Sequence, residues 1–216
     1  MELFLNDKLG KISYEINDTP VSTSVLILAH GAGAGMYHPF MVALAEALCN
    51  EGISVIRFNF PYLEAGRKAP GSPNDAIFTW HKMVEETEKI FYGKSLFVAG
   101  KSYGGRMASH LLAEVKTNIK GIVYFGFPLH APGRDSKDRA NHLDTIDCPQ
   151  LFIQGEKDKL ATIELIREVV NDLPHATLHE ISDADHSFHV PKSAGISKSE
   201  MIRNLAKISA DWMRLK

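Results

Sequence analysis

Cysteine is scarce in this chain, with only Cys49 and Cys148 among 216 residues. One thiol stands near the end of an apolar-periodic segment and the other just before "PQLFIQ". That is no disulfide framework, and the expectation is two reduced, mostly packed thiols in a cytoplasmic protein. An excess of charge is missing too. The 24 Lys and Arg against 26 Asp and Glu leave a net charge of −2, without the basic surface that nucleic acid requires. Long apolar runs are absent: "VLILA" and "GIVYFGF" fall far short of the roughly 20 residues that span a bilayer. The N-terminus "MELFLNDKLGKISYEIN" has no basic segment leading into an apolar stretch, so a soluble, uncleaved chain is expected. Internal repeats, linkers and low-complexity tracts are lacking as well, and one domain over residues 1–216 is expected.

What is present is alternation. After a possible hairpin at about 2–16 come β-rich runs at 24–30, 53–60, 95–101, 119–127, 149–155 and 176–181. Their continuous apolar character predicts strands buried on both faces, hence a mostly parallel sheet. Helical segments are predicted near 38–50, 73–92, 103–116, 162–172 and 199–215. Ser72-Pro73 marks one helix start, Ser197 and Glu200 have capping-box spacing, and Gly52 follows the first helix. In the last helix Ile202, Leu205, Ile208, Trp212 and Leu215 form a stripe expected to pack on the core. Strands alternating with helices on short loops specify an α/β fold with helices on both faces of the sheet.

The junction "LFVAGKSYGGRMAS" at 96–109 holds the chemistry. A phosphate-binding P-loop would need glycine at 95, where Ser95 stands. A dinucleotide fingerprint beginning at Gly31 and Gly33 fails at Met36, and no acidic residue ends the next strand. G-x-S-x-G does match, at Gly100, Ser102 and Gly104, between a strand and a helix. In that context the motif is a nucleophile elbow, a tight turn whose flanking positions must be small for the hydroxyl to project.

A serine hydroxyl needs a base and the base needs an orienting carboxylate, in chain order Ser, acid, His for this kind of elbow. "LFIQGEKD" supplies Asp158, with Glu156 as competitor, and "DADHSFH" supplies His186, with His189 as rival. The second segment could also suggest a metal site, but no second ligand cluster has zinc-like spacing, so neither metal nor cofactor is expected. His30-Gly31-Ala32 follows the first buried strand, where a loop amide joins that of the residue after the nucleophile in an oxyanion hole. Ala32 and Tyr103 are the expected donors, with Gly33 the alternative to Ala32. His30, His38 and His130 are candidates for lining the pocket without acting as base, and Lys101 and Arg106 flank the elbow with no role assigned.

The segments "LAHGAGAGMYHPFM", "RFNFPYLEAGRK", "AGKSYGGRMAS", "GFPLHAPG", "LFIQGEKD" and "ADHSFHVPK" resemble the α/β-hydrolase superfamily. More narrowly they resemble a small bacterial predicted α/β-hydrolase family whose eukaryotic relatives include a subunit of the NSL chromatin complex. The resemblance runs over nearly the whole chain from about residue 20. It implies a Ser102–Asp158–His186 triad on a minimal, uncapped hydrolase fold, and it implies no particular substrate. The polar stretch 128–149, with Pro132, Gly133 and several charges, is unsuited to a helical lid. The pocket walls expected instead are Met36, Tyr37, Tyr62, Phe127, Leu129 and Phe188. The expected activity is hydrolysis of a small ester or thioester through an acyl-enzyme on Ser102. Acyl transfer or a haloperoxidase-like side activity on the same triad stays open, and a non-catalytic scaffold is the alternative from another class. The partner expected is a small molecule rather than nucleic acid or a membrane, and the oligomeric state is left open.

Overall fold

The computed structural model describes residues 1–216. Eight strands form one sheet: β1 (Glu2–Asn6), β2 (Gly10–Asn17), β3 (Ser24–Ala29), β4 (Ser54–Phe58), β5 (Ser95–Lys101), β6 (Ile122–Phe125), β7 (Gln150–Gly155) and β8 (Ala176–Ile181). Their order across the sheet is β1-β2-β4-β3-β5-β6-β7-β8. β1 and β2 pair antiparallel and β2 runs antiparallel to β4, whereas β4, β3 and β5 to β8 are all parallel. This is the mostly parallel α/β sheet that the alternation of segments predicts.

The helices are α1 (Pro39–Asn50), α2 (Pro61–Glu64), α3 (Pro73–Ile90), α4 (Tyr103–Glu114), α5 (Ile163–Asp172) and α6 (Lys198–Met213). Strand alternation sorts them between the two faces. Val25, Ile27 and Ala29 of β3 pack with Trp80 of α3, Leu111 of α4 and Ile166 of α5. Leu26 and Leu28 turn the other way, toward Leu44 and Leu48 of α1 and Leu205 of α6. The central strands are buried on both sides, which is why their sequences read as unbroken apolar runs.

Local signals set the helix ends. Ser72 accepts a bond from the Asn74 amide, with proline opening α3 behind it. Ser197 and Glu200 form a reciprocal capping box at the start of α6. That helix stops at Met213, so Leu215 falls beyond it at 81% exposed rather than joining the core stripe. The four-residue α2, opened by Pro61, is too short to leave a periodic pattern in the sequence. Residues 128–149 form an irregular excursion with two 3₁₀ turns (Asp138–Ala140 and Leu143–Thr145), pinned by the buried Leu129, Leu143 and Ile146.

Candidate active site

β5 ends at Lys101 and α4 begins at Tyr103, so Ser102 alone makes the turn. Its backbone sits at φ 51°, ψ −114°, a conformation that an L-residue holds only when its surroundings impose it. The glycines beside it explain how. A Cβ on Gly100 would lie 2.1 Å from the Gly105 amide nitrogen, and one on Gly104 would lie 2.6 Å from the His30 carbonyl oxygen. Strand, turn and helix approach too closely for any side chain at either position.

The Ser102 hydroxyl projects from this turn to His186 Nε2 at 2.8 Å, and His186 Nδ1 lies 2.6 Å from Asp158 Oδ2. Asp158 comes from the loop after β7 and its side chain is fully enclosed, while 24% of the His186 side chain is exposed. A carboxyl group can be buried there because donors surround it. Gln154 Nε2 donates to Oδ2 at 2.6 Å and the Leu160 amide donates to Oδ1 at 2.8 Å, in addition to the imidazole. Gln154 in turn accepts from the Phe127 amide through Oε1 at 2.9 Å. It ties the acid to the chain leaving β6, and the sequence analysis missed it. The signal was a lone amide side chain inside the buried strand "QLFIQG".

The histidine loop is braced on all sides. Asp185 accepts from the amides of Ser187 and His189 through Oδ1, and the Asp185 amide donates back to the His189 carbonyl. Asp183 and Phe188 hold positive φ values of 58° and 60°. The loop also lies directly on the acid loop: the Lys157 amide donates to Ala184 O, Glu156 accepts from the Asp183 amide, and a Cβ on Gly155 would lie 2.4 Å from Ala184 O. Glu156, the competitor for the acid, thus braces the loop, and His189 is exposed with Nδ1 3.6 Å from Asp185.

Across the elbow, the loop after β3 supplies free donors. The amides of Ala32 and Tyr103 donate to no acceptor in the protein. The Gly33 amide approaches the Tyr62 hydroxyl, a buried group with no partner in hydrogen-bond geometry. His30 is wholly buried and neutral, its pKa pushed down to about 4 by burial. Its Nδ1 lies 2.8 Å from Gly31 O, and its Nε2 accepts from the Phe60 amide at 3.2 Å, which fixes the tautomer with hydrogen on Nδ1. His30 therefore ties the loop after β3 to the chain after β4.

A family model described as an alpha/beta hydrolase domain matches residues 22–214. The chain belongs to that family. Over 119 residues, 53% of its length, this α/β hydrolase is 29% identical to a proline iminopeptidase from Thermoplasma volcanium, and the match spans only 38% of that relative. Among solved structures it is similar to an α/β serine hydrolase without a lid from Xanthomonas campestris, with a TM-score of 0.75 and 20% identity over 96% of this chain and 92% of the other. It is also similar to a dienelactone hydrolase from Anabaena variabilis, with a TM-score of 0.76 and 18% identity over 99% and 95% of the two chains. These likenesses are of fold.

The remaining predicted positions of this α/β hydrolase are framework as the protein stands. Met36, Phe127, Leu129, Phe188 and Tyr62 are buried, because the chain segments leaving β3, β4, β6 and β8 pack their aromatic and aliphatic side chains inward. Tyr37 is 62% exposed, and its hydroxyl is engaged by Glu15 at 2.8 Å. His38 caps α1, and His130 is buried with Nε2 accepting from the Thr162 amide. Arg106 is half-buried on α4. Lys101 is not a free surface charge: its ammonium donates to the His186 carbonyl at 2.6 Å. Burial pushes its pKa down to about 8, with Asp158 and Asp185 acting in the other direction. No three His, Cys, Asp or Glu side chains converge on one point. The segment "DADHSFH" spends its acids elsewhere, Asp183 pairing with Lys157 and Asp185 bonding within its own turn. No helix of the chain is long and apolar enough to cross a membrane.

Proposed function

We propose that this α/β hydrolase is a serine esterase or thioesterase that turns over small acyl substrates through an acyl-enzyme on Ser102. The observation that carries the reading is the unbroken line Ser102 Oγ–His186 Nε2, His186 Nδ1–Asp158 Oδ2, with spacings of 2.8 and 2.6 Å. In this line His186 takes the hydroxyl proton as Ser102 Oγ attacks the carbonyl carbon, while Asp158 holds the ring in the tautomer that leaves Nε2 free to accept. The Ala32 and Tyr103 amides receive the tetrahedral oxyanion, each good donor contributing about 2.7–4 kcal/mol. His186 then returns the proton to the departing alcohol or thiol. A water molecule, deprotonated by the same ring, releases the acid and restores Ser102. No metal or cofactor enters any step of this reading.

Support comes also from the family, and from the fold shared with a lidless serine hydrolase and a dienelactone hydrolase. The narrower kinship with the bacterial family related to an NSL subunit rests on the sequence motifs, and the scaffold role it would allow is the second reading. The elbow argues against a pure scaffold, since a binding surface has no use for a strained serine hydrogen-bonded to a buried His–Asp pair. The test is incubation with a fluorophosphonate probe followed by peptide mapping. Label on Ser102, blocked in His186→Ala, is expected. A folded protein left unlabelled would favour the scaffold.

A further inference from the structure

Lys101 stands between the first elbow glycine and the nucleophile, and the hydrolytic steps above do not use it. We propose that Lys101 is a positioning residue for the general base: its ammonium clamps the backbone of the histidine loop so that the His186 ring stays registered on Ser102. The inference rests on the reading of Ser102 as a nucleophile.

Lys101 is the last residue of β5, paired in register with Phe125 of β6, on the same strand face as Phe97 and Ala99. From there Nζ reaches across the mouth of the sheet to the carbonyl of His186, 85 residues further along the chain, at 2.6 Å. The ammonium also lies 5.5 Å from the centre of the Phe188 ring, the residue at φ 60° in the same loop. Beneath it is Gly126, at φ 71°. A Cβ there would lie 3.2 Å from Lys101 Nζ and 3.4 Å from His186 Nδ1, so ammonium and imidazole rest side by side on a bare stretch of backbone.

The geometry has a plain mechanical reading. The two ring bonds of His186, to Ser102 and to Asp158, hold its imidazole, and the ties of the loop to Glu156 and Lys157 lie on the chain before it, at Asp183 and Ala184. The bond from Lys101 adds a tie to the backbone of His186 itself and fixes it to the end of β5. Asp183 and Phe188 sit in a backbone region that side chains disfavour, so the shape of the loop depends on such contacts. The titratable groups facing the ammonium are Asp158 from the acid loop, and Asp185 and His186 from the histidine loop, with His189 beyond Asp185.

A lysine here also costs stability. An ammonium whose pKa is pushed down to about 8 is held in its charged form at neutral pH against a desolvation penalty, which an apolar side chain would not incur. Such a cost is what a functional position shows and a packing position does not. The neutral amine that remains above about 8 still donates to the carbonyl, but through a weaker bond than a charged donor makes.

The test compares the parent with Lys101→Met, measuring fluorophosphonate labelling of Ser102, kcat and KM on p-nitrophenyl butyrate, the pH profile of kcat, and the melting temperature. Loss of a charge-assisted bond should lower kcat about 10- to 100-fold with KM within about twofold. The melting temperature should be unchanged or higher. The parent profile should carry an alkaline limb near about 8 that the variant lacks. Should Lys101→Met fail to fold, Lys101→Gln keeps a donor without a titrating charge, and its kcat should fall severalfold with the limb again gone. A variant kcat within about twofold of the parent, a loss confined to KM, or an unchanged alkaline limb overturns the proposal. Labelled parent with an undiminished variant overturns this proposal alone, whereas an unlabelled parent overturns the hydrolase reading along with it.

Discussion

The two ends of the sheet are built on opposite terms. At the end where the parallel strands finish, Ser102, Asp183 and Phe188 hold positive φ, Asp158 and Gln154 are buried, and backbone segments touch at Gly100, Gly104 and Gly155. At the other end lies a groove of about 680 Å³, lined by Leu112, Ile119, Ile146, Cys148 and Leu215 among others. It contains no positive-φ residue and no part of the Ser102–His186–Asp158 line. Volume and chemistry are therefore separated here. Size is a fair first guide to a binding site, but strain and a closed hydrogen-bond circuit mark the Ser102 end as the candidate for chemistry.

The sharpest break of this contrast is Ser102→Ala. Hydrolysis should fall by about four to six decades with the thermal melt unchanged, because triad members act as a unit and the fold rests on the sheet core. His186→Ala should match it, and His189→Ala should leave esterase rates near the parent. The reverse pattern would reassign the base. Asp158→Asn should come next, with turnover falling by up to about four decades as the amide fails to hold the imidazole in its working tautomer. Retained turnover would move the acid to Glu156.

Gln154→Ala should cost about 1–3 kcal/mol and reduce kcat tenfold or more, since it strips one donor from Asp158 and one acceptor from the Phe127 amide. Urea unfolding combined with steady-state rates would check both parts, and an unaffected kcat would make Gln154 a packing residue only.

A gentler probe is acid. His30 is held neutral with its pKa at about 4, below the usual 6.5. Between those values the unfolded chain binds a proton that the folded chain refuses. Stability is thus fully present above pH 6.5 and drains away as pH falls toward about 4, by roughly 3 kcal/mol from this group. His142, pushed down to about 4 chiefly by burial, should add to the same slope. Denaturant titrations at intervals across that range should trace the decline, and a flat profile would mean that His30 is not buried neutral. The smallest effect belongs to the far groove: Cys148→Ala should leave kcat within about twofold, and a larger change would join the two ends of the sheet functionally.

Much of this was legible in the sequence, and the boundary has a physical cause. Strands β3 to β7 announced themselves through unbroken apolar runs because each is covered on both faces, and the elbow through glycines that the turn demands. Ser102, Asp158 and His186, grouped by chain order and by the positions of their loops after strands, are linked at hydrogen-bond distance through His186 in the structure. Gln154 and Lys101 escaped because their meaning lies in partners 27 and 85 residues away, the Phe127 amide and the His186 carbonyl. A polar side chain beside an apolar run announces that something will satisfy it, without saying what. The aromatic and aliphatic positions near the loops failed differently: pattern reads them as apolar but cannot say whether they face a ligand or one another, and the fold turned most of them inward.

The contact between Gly155 and Ala184 has a dynamic consequence. The acid loop and the histidine loop share backbone hydrogen bonds and leave no room for even a methyl group between them, whereas the serine is carried by a separate strand and helix. Local opening at this end should therefore be cooperative, with acid and base leaving together as one small unit and the nucleophile staying behind on the sheet. Amide hydrogen exchange in the segments 155–158 and 183–189 would then share a single opening free energy, lower than that of β5, and the Ser102–His186–Asp158 line would be lost and regained as a whole.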